Sequence, residues 1–315
     1  METVISAIIC THNGASHLAK AIESLVTQSL PAKRYEIIIV DNCSTDSTRE
    51  VIACFATVKT IRYIHEPILG LSFARNAGRR NARGKYVAYL DDDAVASPTW
   101  LERILDAFDK ITPRPGCLGG RVDPIWEAPR PSWVSDDLLT PLTIINWSDT
   151  PVFLRDLNRQ FLVGANIAIP VEVLEEAGGF VAGLDRVGKN LLSNGDLFLQ
   201  KQILKAGYTC YYDPQIAVHH LVPMSRLNQH WFLRRYYWQG ISDAAVQFLE
   251  ENPSALRRLF SAVRLTMRLL RSPKRMMHLV VPLSAPKQFT EKCLALITVG
   301  HIVGILGGLK NKRGT

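Results

Sequence analysis

The six cysteines of this chain (Cys10, Cys43, Cys54, Cys117, Cys210 and Cys293) include no Cys-x-x-Cys pair and no regular spacing. That argues against a zinc module and a disulfide scaffold, and for reduced thiols in a cytosolic protein. No Gly-x-Gly-x-x-Gly follows the first apolar run, so the phosphate turn of a dinucleotide-dependent dehydrogenase is missing. There is no internal repeat and no low-complexity segment. The start, Met1-Glu2-Thr3-Val4-Ile5, has neither a basic stretch nor a cleavage site and is not expected to be a signal peptide. Acids are almost missing from one end. From Pro253 to Thr315 there are twelve Lys/Arg against one acid, Glu291, a local balance of +11 in a chain of net charge +8. The other 252 residues therefore carry about −3. A nucleic-acid enzyme more often carries its basic charge on the substrate-binding face, so no nucleic-acid partner is expected. A basic tail on a near-neutral body suits an anionic surface.

What the sequence has is a row of three carboxylates, Asp91, Asp92 and Asp93, directly after the apolar run Tyr86–Leu90. Such a run reads as a strand buried on both faces, with the acids at its carboxyl end, where ligands bind in open α/β sheets. Like charges this close repel unless a cation lies between them, and hard oxygen donors suit Mn²⁺ or Mg²⁺. The competing reading is an acidic turn ahead of the helix that begins near Ser97-Pro98-Thr99-Trp100.

Upstream, strands are expected at 4–10, 36–40, 60–64 and 85–90, alternating with helices at 14–30, 46–57 and 72–82. This alternation predicts an α/β domain with a mostly parallel sheet. Residues 112–160, rich in proline and carrying Trp126, Trp133 and Trp147, show no period and read as irregular loops. A strand over 161–169, a helix over 170–177, a helix over 197–206, strands at 209–212 and 215–218, and an aromatic helix over 228–252 follow. In the tail, Arg257, Arg264, Arg268 and Arg271 share one helical face, and Leu259, Ala262, Val263 and Leu270 fall opposite, before Ser272-Pro273 stops the helix. That is the pattern of a helix lying in a membrane interface. The apolar segment 293–309, followed by Lys310-Asn311-Lys312-Arg313, is at the lower limit for a bilayer span and is expected to insert shallowly. A helical hairpin packed on the body is the alternative.

Taken as an ordered set, these segments resemble family 2 glycosyltransferases, inverting enzymes of the GT-A fold. The resemblance rests on Ile8-Ile9-Cys10-Thr11-His12-Asn13-Gly14, Ile38-Ile39-Val40-Asp41-Asn42-Cys43-Ser44-Thr45-Asp46, and Gly70-Leu71-Ser72-Phe73-Ala74-Arg75-Asn76-Ala77-Gly78. It continues through Gly84–Asp93, Gly164-Ala165-Asn166, Gly178-Gly179-Phe180 and Asn194-Gly195-Asp196. It spans about residues 3–240 and implies a GT-A α/β/α sandwich over 1–240, with a nucleotide-binding half at 1–110 and an acceptor half at 111–240. Residues 241–315 would form a helical, basic, membrane-associating tail.

The resemblance also implies roles. Asp41 would contact uracil, with Thr11 and Asn13 lining the same pocket. Arg75 would meet the diphosphate or a nucleotide edge, with Asp92 close by. Asp93 would bind the metal, Asp91 would contact ribose or a metal-bound water, and His220 would lie near the metal. Asp196 would be the base that deprotonates the acceptor hydroxyl, although it also suits a helix cap. Asn166, Arg226 and Trp231 would serve the sugar, phosphates or acceptor. One departure stands out: the family's Glu before the catalytic Asp is Gly195 here, and the Gly before that is Asn194.

The expected protein is a Mn²⁺- or Mg²⁺-dependent hexosyltransferase. It would use a UDP-sugar and a glycan or lipid-linked acceptor, and work peripherally on the inner face of the membrane against an anionic surface. The alternative is a non-catalytic sugar-nucleotide-binding subunit, motivated by Gly195. A sugar-1-phosphate nucleotidyltransferase would need a Gly-rich triphosphate loop with a basic residue after the first strand, which 11–15 does not supply.

Overall fold

Long apolar runs make the first four strands, and they lie side by side. The computed structural model describes residues 3–188, 190–280 and 285–307. In chain order the first elements are β1 (Ile5–Thr11), α1 (Leu18–Val26), β2 (Tyr35–Asp41), α2 (Thr48–Ala53), β3 (Ile61–His65), α3 (Leu71–Asn81) and β4 (Tyr86–Asp91). β1, β2 and β3 pair in parallel, and β1 pairs with β4 in parallel on its other side, Ile5 facing both Tyr35 and Tyr86. β1 and β2 are buried along nearly their whole length, as strands covered on both faces must be. All four begin or end within two residues of their expected limits, whereas α1 and α2 are shorter than expected.

The chain continues with β5 (Ala94–Ala96), α4 (Trp100–Lys110), β6 (Cys117–Trp126), β7 (Val152–Leu154), β8 (Ile167–Pro170), α5 (Val171–Glu176), α6 (Gly195–Lys205) and β9 (Cys210–Val222). The sheet runs β3-β2-β1-β4-β8-β6-β9-β5, with β7 on β9. β4 pairs with β8, β8 with β6, and β9 with both β5 and β7 in antiparallel fashion. The sheet is therefore mixed: β1 to β4 run parallel, and so do β6 and β9, with the Gly116 N–H donating to the Thr209 carbonyl near one end and the Glu127 N–H to that of Val222 near the other.

The 112–160 stretch is not all loop, since it holds β6 and β7. β6 escaped its apolar pattern because of Gly119 and Gly120. A Cβ at Gly119 would strike the Asn166 carbonyl, and one at Gly120 the carbonyls of Asp213 and Ile216. Glycine lets these backbones approach. The two strands expected at 209–212 and 215–218 are one, β9, running through Asp213-Pro214.

The last elements are α7 (Gln229–Glu251), α8 (Ala255–Leu270), α9 (Pro273–Val280) and α10 (Pro286–Gly307). The chain divides into two compact units. One comprises Met1–Ile125, Thr143–Ala182 and Gly195–Leu221, and the other Trp126–Leu142, Gly183–Asn194 and Val222–Thr315. Position 240, where the sequence suggested a boundary, lies inside the continuous helix α7.

In the second unit α10 lies against α7 at close range. A Cβ on Gly240 would collide with the Ile297 carbonyl, and one on Gly300 with that of Tyr237. Trp133, Phe232 and Phe289 pack edge to face, with Trp133 5.2 Å from Phe232 and 5.0 Å from Phe289, a favourable aromatic geometry. Among the described residues α10 is the one helix long and apolar enough to cross a membrane, and 33% of its apolar window is buried. The expected shallow insertion of 293–309 thus meets a segment whose glycine face is taken up by α7. Residues 308–309 and the basic run after them lie outside the described residues.

Candidate active site

The carboxyl ends of β1, β2 and β4 bring the predicted acids together. β4 ends at Asp91, a short turn carries Asp92 and Asp93, and β5 begins at Ala94. β5 pairs with β9 so that Ala94 faces His220, and the Leu221 N–H donates to the Asp93 carbonyl at 2.9 Å. Side chains alternate along a strand, so His219 is exposed while its neighbour His220 points inward and is only 2% exposed. His220 Nε2 lies 3.1 Å from Asp93 Oδ1. One donor atom each from Asp91, Asp93 and His220 falls within 4.8 Å of the others, a group that could hold a metal ion. His220 Nδ1 is buried with no hydrogen-bond partner, an orphan of the kind native interiors rarely tolerate.

Arg75 occupies a place the sequence did not foretell. It projects from α3 and is 3% exposed. Its Nη1 donates to Asp196 Oδ1 at 2.7 Å, and its Nη2 lies 3.7 Å from Asp91 Oδ1. The guanidinium stacks over Phe180 at 5.0 Å. The fork expected to meet a diphosphate is thus directed at two carboxylates.

Asp196 sits in the first turn of α6, and its other oxygen accepts the Gly164 N–H at 2.6 Å. A Cβ at Gly164 would run into the Arg75 guanidinium and displace it from Asp196. Both oxygens of Asp196 are therefore fixed while its side chain stays 23% exposed.

Asp91 titrates unusually. Burial pushes its carboxyl up to about 6, Asp93 and Asp196 add repulsion, and Arg75 and His220 oppose them. The side chain is 33% exposed, so solvent moderates the effect. A metal needs this carboxylate ionised. Divalent-cation affinity should be level above pH 6 and fall as pH drops through 6, by about tenfold per unit once Asp91 is protonated. Titration calorimetry with Mn²⁺ between pH 5 and 8 checks this, and flat affinity across that range would remove Asp91 from the metal set.

The remaining predicted residues are placed as follows. Thr11 Oγ1 donates to Asp92 Oδ2 at 2.6 Å. Asn13, with φ of 57°, accepts from the Thr45 N–H at 2.7 Å and ties the loop after β1 to the loop after β2. Asp41 accepts from the Ser44 N–H and from the Tyr63 hydroxyl, each at 3.1 Å. Each carboxylate oxygen keeps a second lone pair for a ligand. Asn166 is fully buried. Its Oδ1 accepts from Trp100 Nε1 at 2.8 Å, and its Nδ2 donates to the carbonyls of Arg121 and Ile216. Fully buried and with both amide hydrogens donated, Asn166 ties α4, β6 and β9 together. Arg226 and Trp231 belong to the second unit, where the Trp231 ring packs edge-on to Phe232 at 5.2 Å.

The second unit also holds Ser193 and Asn194, at the end of its Gly183–Asn194 segment. Asn194, with φ of 128°, donates from Nδ2 to Asp243 at 2.9 Å and accepts from Gln239 at 2.9 Å. Arg235 donates to Ser193 Oγ at 2.7 Å. Gly195, where the family has Glu, brings no carboxylate.

The pattern of Glycosyl transferase family 2 matches residues 6–178, more than half of the chain, and the chain belongs to that family. It is a glycosyltransferase. It is 24% identical over 249 residues to the glucosyl-dolichyl phosphate glucuronosyltransferase of Haloferax volcanii, covering 78% of each chain. It is 25% identical over 272 residues to the succinoglycan biosynthesis protein ExoM of Rhizobium meliloti, covering 80% of this chain and 77% of that one. Among solved structures, the mannosyltransferase PcManGT of Pyrobaculum calidifontis, in complex with GDP-Man and Mn²⁺, superposes with a TM-score of 0.60 at 17% identity. That match covers 98% of this chain and 88% of that one. S. aureus TarS 1-349 in complex with UDP-GlcNAc gives 0.57 at 15% identity, over 97% and 91% of the two chains. At such identities the likeness is one of fold, and the fold is the GT-A type.

Proposed function

We propose that this chain is an inverting hexosyltransferase that moves a sugar from a UDP-sugar to a hydroxyl of a glycan or lipid-linked acceptor. It would serve polysaccharide or glycoconjugate synthesis at the inner face of a membrane. The observation that carries this reading is the chain of contacts from Gly164 through Asp196 and Arg75 to Asp91, beside Asp93 and His220. It joins a fixed, partly exposed carboxylate to a cluster suited to a cation.

Two carboxylates and an imidazole with an orphaned nitrogen fit Mn²⁺ or Mg²⁺, the harder oxygen donors favouring these over softer metals. Bound there, the ion would supply Lewis-acid neutralisation of charge growing on the departing diphosphate. The protein's own part begins with the base. In a single displacement the acceptor hydroxyl loses its proton on the face opposite the leaving group. Asp196 accepts that proton on a lone pair left free by Arg75 and Gly164, and its position is set before substrate arrives. Arg75 acts as a positioning residue that holds Asp196 and Asp91 at one spacing. Thr11, Asn13 and Asp41 form the uridine pocket, where the Asp41 carboxylate accepts from the base imide.

The named activities of the Haloferax and Rhizobium relatives support a lipid-linked or polysaccharide acceptor. The solved neighbours, one with a UDP-sugar and one with GDP-Man and Mn²⁺, support a nucleotide-sugar donor. A thermal-shift screen tests the donor. UDP-sugars with Mn²⁺ should raise the melting temperature, since ligand at 100 times its Kd adds about 2.7 kcal/mol. A shift with GDP-mannose and none with UDP-sugars would overturn the uridine assignment. The second reading, a non-catalytic binding subunit, is motivated by the missing carboxylate at Gly195, and turnover with any acceptor excludes it.

A further inference from the structure

Helix α8 has three sectors rather than the two its sequence suggests. Ala262 and Leu269 are buried, and Ala262 and Leu265 pack with Ala244 of α7 and with Ile302 and Ile305 of α10. A second sector carries Leu256, Leu259, Phe260, Val263, Met267 and Leu270. These recur at i, i+3, i+4, i+7, i+11 and i+14, and each is 48% to 65% exposed. Isolated exposed apolar residues are ordinary, but six on one helical face form a patch that marks an interaction site. The third sector, flanking this stripe, carries Arg257, Arg264, Arg268 and Arg271, all exposed. Among the described residues no ion pair engages Arg264, Arg268 or Arg271; Arg257 lies 3.9 Å from Glu251.

The start of α8 is held in place by its caps. α7 ends at Asn252 in the left-handed conformation, and the Ser254 side chain accepts the Arg257 N–H. The turn leaves a groove of about 500 Å³ between the end of α7 and the start of α8. Ser254, Arg257, Ser261 and Arg264 line it together with Glu251, and the exposed Leu256 and Phe260 border it. Two guanidinium forks and two hydroxyls against the one carboxylate of Glu251, which pairs with Arg257, leave the groove net positive beside apolar side chains and suit a phosphodiester joined to acyl chains.

We propose that α8 is the membrane-docking surface of this protein. Its apolar stripe enters the interface of an anionic bilayer, and the α7–α8 groove receives the phosphate of a lipid headgroup. The proposal deepens the membrane-side reading of function and rests on it. Charge decides the occupant. The tail's balance of +11 favours an anionic surface. An antiparallel second copy on the same face would set two arginine rows side by side, and like charges there oppose pairing.

The test is co-sedimentation of the full chain with vesicles of phosphatidylcholine alone or with phosphatidylglycerol, with UDP–Mn²⁺ binding measured on every variant. Wild type should bind the anionic vesicles and leave the neutral ones largely free. Phe260→Asp with Met267→Asp should abolish vesicle binding at all salt concentrations. Arg264→Glu with Arg268→Glu should weaken binding to anionic vesicles by about tenfold or more and remove the lipid preference. Free inorganic phosphate at millimolar concentration should not compete, because it lacks the acyl chains. Equal binding by wild type and either variant, displacement by free phosphate alone, or dimerisation through this face in sedimentation velocity would each overturn the proposal. Absence of UDP binding in wild type would count against the donor reading alone.

Discussion

Asp196→Asn should lower sugar transfer by about 10²–10⁴-fold while leaving UDP-sugar affinity in place. Asparagine is nearly isosteric and its amide oxygen can still accept the Gly164 N–H that Asp196 now takes at 2.6 Å. What it cannot do is accept a proton at neutral pH. The variant also removes the charge opposite Arg75 Nη1, 2.7 Å away, and Arg75 is almost wholly buried. Breaking a buried pair by removing one partner costs about 3–5 kcal/mol when the other charge is left alone. Here Asp91 stays within 3.7 Å of Nη2, so the expected loss of stability is smaller and the fold should persist. Two readouts separate chemistry from structure. If Asp196 is the base, kcat falls while the donor affinity is unchanged and the melting transition stays cooperative at a modestly lower temperature. If it only anchors Arg75, Arg75→Lys, which cannot reach both acids with a planar fork, should match Asp196→Asn in rate. Transfer by Asp196→Asn at near the wild-type rate places the base elsewhere.

The parts of this protein that were legible in sequence are those in which local pattern and tertiary role coincide. Ile37, Ile38, Ile39 and Val40 are apolar on both faces because helices cover both, so the run announces a buried strand. The three acids ending β4 announce a site for the same reason, since polar side chains begin where the strand leaves the core. Arg75 was not legible. Its partner Asp196 lies 121 positions away, and no local pattern distinguishes a helix arginine that meets a diphosphate from one that clasps two carboxylates. Asn166 shows the same limit, since its amide reaches Trp100 and the carbonyls of Arg121 and Ile216, 45 to 66 positions away. β6 was hidden by Gly119 and Gly120, whose lack of side chains is required by the backbones beside them. In α8 a two-faced reading merged Ala262, which is packed, with Leu259 and Val263, which are not, because helical spacing orders residues by angle and says nothing of which angle meets a neighbour.

Asp93→Ala should eliminate Mn²⁺-dependent UDP binding and leave the domain folded. The backbone of this residue is held independently of its side chain. Its carbonyl accepts from the Leu221 N–H at 2.9 Å, and the adjoining strand keeps its register on β9 through Ala94 and His220. The carboxylate is the group that matters, because it pairs with His220 at 3.1 Å and stands in one donor cluster with Asp91. Its removal leaves one carboxylate, itself resistant to ionisation near pH 6, and an imidazole. Losing a supporting residue around a metal costs about 10–100-fold in affinity, and losing a ligand should cost more. A cost in stability also follows, because His220 Nε2 is left without its acid in a site that is 2% exposed; an unsatisfied buried polar group costs about 1–3 kcal/mol. The melting temperature should therefore fall by a few degrees without loss of a cooperative transition. Calorimetry with UDP in the presence and absence of Mn²⁺ decides the matter. In the wild type the metal should strengthen UDP binding, and in Asp93→Ala it should add nothing. Unchanged Mn²⁺–UDP affinity in the variant would take the ion away from this cluster, and the acids after β4 would then be a turn ahead of α4 rather than the seat of the chemistry.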